Sequence, residues 1–167
     1  MSTRWPGMSL NYTGVSMNWF KSIIALIIVA VVGIGFWLMI FGAPIDDSAL
    51  NRRMETFNEE AFRTAQANND LILINFHQRW CPDCIQQKRV LARYFIDFPQ
   101  SPVKVFEVDF DAEAELVERF RAEDATSLVL YRGEDRIWYG YQQTNTANIY
   151  SALQEAEYHS RLFAEDD

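Results

Sequence analysis

Leu71-Ile72-Leu73-Ile74-Asn75-Phe76-His77-Gln78-Arg79-Trp80-Cys81-Pro82-Asp83-Cys84 is the stretch that decides the fold. Its first six residues follow Asn69-Asp70 and form a short apolar run, which predicts a buried strand. Cys81 then falls near a helix N-cap. Pro82 suits the first helical position, where the missing N–H has no intrahelical partner to lose. Asp83 lies in the first turn, where the helix dipole favours a carboxylate. Ile85, Lys88, Leu91, Ala92 and Phe95 carry the helix onward, and Pro99 stops it. Cys81 and Cys84 are the only two cysteines in 167 residues. They therefore pair with each other, bind a metal or stay free. A Cys-X-X-Cys that ends a strand and opens a helix suits dithiol chemistry. The helix N-terminus stabilises a thiolate on the first cysteine, and the second lies one turn away, in reach of a mixed disulfide.

The segment Leu71–Cys84, with its tryptophan directly before the first cysteine, resembles the active-site strand and helix of the thioredoxin superfamily. The resemblance extends over about residues 47–157. Thr56-Phe57-Asn58-Glu59-Glu60-Ala61-Phe62 is similar to the family's first helix, Val103–Asp109 to its third strand and Ala112–Ala122 to the helix after it. Leu128–Gly133 and Arg136–Gly140 resemble the closing hairpin, and Thr146–Glu157 the last helix. This implies an α/β thioredoxin-like fold with a central mixed sheet of four to five strands flanked by helices. It implies no cofactor beyond a redox-active Cys81–Cys84 disulfide, with Cys81 attacking and Cys84 resolving. The implied partners are protein thiol or disulfide substrates and an unidentified electron donor. Trp80 is expected to shield the pair. A lone Cys-X-X-Cys is also half of a zinc site, but no second ligand pair accompanies it here.

Two departures bear on the site. The resemblance places a cis-proline opposite the cysteines, just before the fourth strand. This chain reads Asp124-Ala125-Thr126-Ser127-Leu128, with Thr126 in that place. Its preceding peptide bond is expected to be trans, since a non-proline cis bond costs about 2.5–4 kcal/mol. The buried aspartate that accepts a proton in many relatives corresponds to Asn75, whose amide cannot. His77 is the nearest alternative by sequence, and shares a face with Asn75 if the strand is regular to its end. The simpler reading of His77 is a hydrogen-bonded strand-end residue. Asp83 opposes a second negative charge near Cys81, which raises the thiol pKa and favours a reductant, while Arg79 pulls the other way. Cys-Pro-Asp-Cys also resembles the motif of small cytosolic thioredoxin-related proteins.

The second signal is N-terminal. Ile23–Phe41 is an almost unbroken apolar run, with no charge between Lys21 and Asp46. It meets the length of about 20 residues that a membrane-spanning helix needs. A cleaved signal peptide has a shorter apolar core and small residues before the cut, whereas Phe41, Gly42-Ala43 and Pro44 form a poor site. The reading is an uncleaved single-pass anchor in the inner membrane. Lys21 at its N-terminal flank keeps the N-terminus inside and puts the domain in the periplasm of a bacterial source. Met17 is an alternative start. The expected organisation is a short segment at 1–21, the anchor at 22–45, a linker at 46–53, the thioredoxin-like domain at 54–160 and an acidic tail at 161–167.

Charge divides the chain at the same place. All 23 acidic residues follow Ile45, and two of the 15 basic ones, Arg4 and Lys21, precede it, which leaves the later part near −10. Such a domain is a poor nucleic-acid binder. Three functions fit. One is a membrane-tethered thiol–disulfide oxidoreductase acting on envelope proteins. Another is a soft-metal protein holding Cu(I) through Cys81, Cys84 and His77. The third is a binding or assembly factor without redox turnover. The intact Trp80–Cys84 motif favours the first, with Pro82, Asp83, Asn75, His77 and Thr126 shaping its site, whereas the missing cis-proline and buried aspartate favour the other two.

Overall fold

The computed structural model describes residues 17–41 and 46–164. Segment 1–16, the junction at Gly42-Ala43-Pro44-Ile45 and the tail Glu165-Asp166-Asp167 lie outside the described residues. Two compact units result, one on either side of Pro44. The first contains α1, Met17–Phe41. Within it Trp19–Leu38 has a mean hydropathy of 2.4, with none of its most apolar window buried, so it is long and apolar enough to cross a membrane.

The second unit is an α/β domain. Its elements are α2 (Ser48–Asn51), β1 (Met54–Thr56), α3 (Glu59–Ala67), β2 (Leu71–His77), α4 (Pro82–Asp97), β3 (Lys104–Asp109), α5 (Ala114–Phe120), β4 (Leu128–Arg132), β5 (Asp135–Gly140) and α6 (Thr146–Ala164). The five strands are ordered β1-β3-β2-β4-β5. β1 and β2 run parallel to β3, whereas β4 is antiparallel to β2 and β5.

β2 is central because its side chains are apolar on both faces. Leu71 and Leu73 enter one core with Leu91, Tyr94 and Phe95 of α4, Val105 of β3 and Ile149 and Leu153 of α6. Ile72, Ile74 and Phe76 enter the other, with Phe62 of α3, Phe106 and Val108 of β3, and Phe120 of α5. This alternation places Asn75 on the α4 side, beneath the helix that carries the cysteines.

Several boundaries differ from the sequence reading. The linker expected at 46–53 folds into α2, whose Ala49 and Leu50 are buried in the α4-side core. The helix expected across Thr56–Phe62 begins only at Glu59, because the Asn58 side chain accepts the Ala61 N–H at 2.9 Å and caps it. Ahead of that cap, Met54–Thr56 is strand, held by pairing with Val105, Phe106 and Glu107. The last helix runs past Glu157 to Ala164.

Phe62 anchors the second core, 1% exposed. Its ring lies 5.4–6.1 Å from those of Phe57, Phe106, Phe120 and Tyr131. Phe62→Ala is expected to lower the unfolding free energy by about 3–5 kcal/mol, read as a lower urea midpoint with an unchanged slope.

Candidate functional site

The site begins where β2 runs out. His77 is the last strand residue, in register with Asp109. Its carbonyl accepts the Phe110 N–H at 2.8 Å, and the Gln78 amide donates to Asp111 Oδ1 at 2.9 Å. The chain then reverses through Trp80, whose φ of +65° is rare for a bulky residue. That turn delivers Cys81 to the N-cap of α4 with extended backbone, and Pro82 occupies the first turn as expected. It also sends the indole outward. Trp80 is 92% exposed and does not shield the cysteines, which corrects the sequence expectation.

Cys81 and Cys84 are joined in a disulfide, their Cα atoms 5.2 Å apart. The Cys84 backbone N–H donates to Cys81 Sγ at 3.0 Å. Cys81 is half-buried, whereas Cys84 is buried with Sγ 3.5 Å from the Ala125 carbonyl oxygen. Asp83 is exposed in the first turn. The helix terminus thus offers an N–H to one sulfur, and the opposite loop offers a carbonyl to the other.

Asn75 is wholly buried beneath α4, with Nδ2 3.9 Å from Met54 Sδ. Its Oδ1 has no hydrogen-bond partner among the described residues. The neighbouring charge lies one strand over. Glu107, in register with Asn75, is ion-paired with Lys88 of α4. His77 Nδ1–H donates to the Val108 carbonyl at 3.1 Å, and its Nε2 lies 3.9 Å from Glu107 Oε1. β2 is therefore regular to its end, and His77 is the hydrogen-bonded strand-end residue of the simpler reading.

Thr126 sits beside the cysteine helix, and no cis peptide bond occurs among the described residues. Gln87 of α4, fully buried, donates to the Thr126 carbonyl at 2.6 Å and to the Gln143 carbonyl at 2.8 Å. Gln87, Glu107, Lys88, Asp124 and Ala125 were not singled out by sequence. The only signal for Gln87 was a polar residue three positions after Cys84, on the helix face that turns inward.

The thioredoxin family model matches residues 53–155, well over half of the chain. The chain belongs to the thioredoxin family. Among curated thioredoxins, H-type proteins of Brassica oleracea and Brassica napus are each 29% identical over 86 residues, covering 50% of this chain. The match spans 66% of those relatives, just under two thirds of their length. Among solved structures, Trxlp from Edwardsiella tarda EIB202 is 29% identical, with a TM-score of 0.56, covering 60% of this chain and 97% of that one. Mitochondrial thioredoxin 3 of Saccharomyces cerevisiae, in its oxidized form, is 19% identical, with a TM-score of 0.54 and coverages of 65% and 98%. At that identity it shows the shared fold alone. The thioredoxin fold here carries its Cys-X-X-Cys pair at the N-terminus of α4.

Within this thioredoxin domain, Thr126 donates its N–H at 2.8 Å and its hydroxyl at 2.5 Å to Asp124 Oδ1. These bonds, the hydroxyl foremost, hold the Asp124 carboxyl below its ordinary 3.8. A carboxylate with a depressed folded-state pKa contributes stability above its unfolded value and loses it as pH falls through the folded value. Asp124→Asn, which cannot titrate there, is expected to lose stability less steeply than the wild type below pH 3.8. Urea unfolding across that range measures the slope.

Proposed function

We propose that this protein is a membrane-tethered thiol–disulfide oxidoreductase that reduces disulfides in envelope proteins. The observation that carries the reading is the asymmetry of the two sulfurs. Cys81 accepts a helix-terminal N–H at 3.0 Å and is partly exposed, whereas Cys84 is buried against a carbonyl at 3.5 Å. An N–H donor and the helix dipole favour the thiolate at Cys81. A carbonyl acceptor favours the protonated thiol at Cys84.

In the dithiol state the Cys81 thiolate attacks one sulfur of a substrate disulfide. The substrate S–S bond breaks, an intermolecular S–S bond forms, and the displaced substrate sulfur takes up a proton. Cys84 then loses its proton and attacks Cys81 Sγ. The intermolecular bond breaks, the second substrate sulfur leaves as a thiol, and the Cys81–Cys84 disulfide closes. Two electrons and two protons from a dithiol donor regenerate the starting state. Asp83 beside Cys81 supports the reducing direction, because its negative charge opposes a persistent thiolate. The span Trp19–Leu38 supports tethering, and Lys21 at its flank supports an inner-membrane protein with its domain in the periplasm.

The copper-handling alternative draws no support from the geometry. It needs His77 together with both cysteines, and no group of three potential ligands gathers among the described residues.

Cys84→Ser is expected to accumulate a mixed disulfide between Cys81 and substrate, and Cys81→Ser to accumulate none, as resolved by non-reducing gels. The reverse pattern overturns the assignment of roles. For topology, the full chain is expected to stay in the membrane pellet through an alkaline wash, and a reporter fused after Asp167 to be active on the periplasmic side. A soluble shortened form or a cytoplasmic signal overturns the tethered periplasmic reading.

A further inference from the structure

The segment Asp124–Ser127 is closed by hydrogen bonds on both sides. Thr126 gives its N–H and its hydroxyl to Asp124 Oδ1. Asp124 N–H donates to Ser127 Oγ at 3.2 Å, and Ser127 N–H returns to the Asp124 carbonyl at 3.0 Å. Gln87 then bolts the loop to the cysteine helix through the Thr126 and Gln143 carbonyls, and the Gln143 N–H reaches the same Thr126 carbonyl at 3.1 Å. An isolated Asx turn explains itself. This one is joined to a fully buried amide three residues beyond Cys84.

The joint product of these contacts is the position of one atom, the Ala125 carbonyl oxygen, 3.5 Å from Cys84 Sγ. In the disulfide no proton lies between them. In the dithiol the Cys84 S–H can donate there. The contact therefore stabilises one redox state and not the other. We propose that Asp124 and Gln87 are positioning residues of the redox centre. Through the Ala125–Thr126 backbone they hold the carbonyl that hydrogen-bonds the Cys84 thiol, and so shift the couple toward the dithiol. This deepens the oxidoreductase reading and rests on it.

Glutathione as the probe tests the inference on the full-length protein. The Cys81–Cys84 disulfide takes two electrons and two protons from two glutathione thiols, giving the dithiol and one glutathione disulfide. Asp124→Ala and Gln87→Met, the latter close to isosteric but without donors, are each expected to move that equilibrium about three- to tenfold toward the protein disulfide. At about 30 mV per tenfold change, that is about 14–30 mV more reducing. Asp124→Asn keeps an acceptor oxygen and is expected to match the wild type. A shift in the alanine and methionine variants with rescue in the asparagine variant supports the proposal. If Asp124→Ala does not fold, Gln87→Met decides alone. An unshifted equilibrium in the folded variants, or an equal shift in Asp124→Asn and Asp124→Ala, overturns it while the oxidoreductase reading stands. A wild type that never exchanges with glutathione overturns both.

Discussion

The Cys84 N–H that reaches Cys81 Sγ at 3.0 Å sets the difference between two chemically identical side chains. A thiolate there is favoured by the helix terminus only while the terminus stays aimed at it, so the chemistry depends on how firmly α4 is seated. Its seating is apolar along most of its length, through Leu91, Ala92, Tyr94 and Phe95. A polar lock lies further along. The buried Glu157 carboxylate of α6 accepts the Tyr94 hydroxyl at 2.7 Å and the Ser101 hydroxyl at 2.6 Å. Burial, with the neighbouring Glu157 added, pushes the Tyr94 hydroxyl far above its ordinary range. The tyrosine therefore stays a hydrogen-bond donor, and the bond ties α4 to α6.

Charge under the site is arranged with similar economy. Asn75 is fully buried and neutral, so it carries no ionic desolvation cost. The charges stand at Glu107 and Lys88, which retain partial exposure and each other. The carboxylate of this layer stands on the neighbouring strand, and the deepest position on the central strand is uncharged.

Much of this was legible because it is local. The apolar run of β2, Pro82 at the helix start and the spacing of the two cysteines each act within a few residues, and strand, helix and disulfide follow where expected. β1 was not legible, since three residues make a strand only when Met54 finds Val105 about fifty positions away. α2 was hidden for a related reason: four residues carry too little periodicity, and burial of Leu50 against α4 decides the matter. The exposure of Trp80 turns on a left-handed φ that no residue pattern announces. Gln87 and Asp124 looked like ordinary polar residues because their partners come from other segments.

The strand order also governs how the chain can be made. β2 pairs with β3 on one side and with β4 on the other, where Leu71 lies opposite Arg132. Neither neighbour exists when Leu71–Phe76 leaves the ribosome, and helix α4 has to be synthesised before either appears. Non-local pairing of this kind is slow to nucleate and leaves a hydrophobic strand with two open edges in the interim. Within the α/β domain, the strand left with open edges is therefore the one that later supports the cysteines. Its β4 edge stays open until about sixty further residues, through Arg132, have emerged. Holding back folding until then is a task for whatever receives the chain during synthesis.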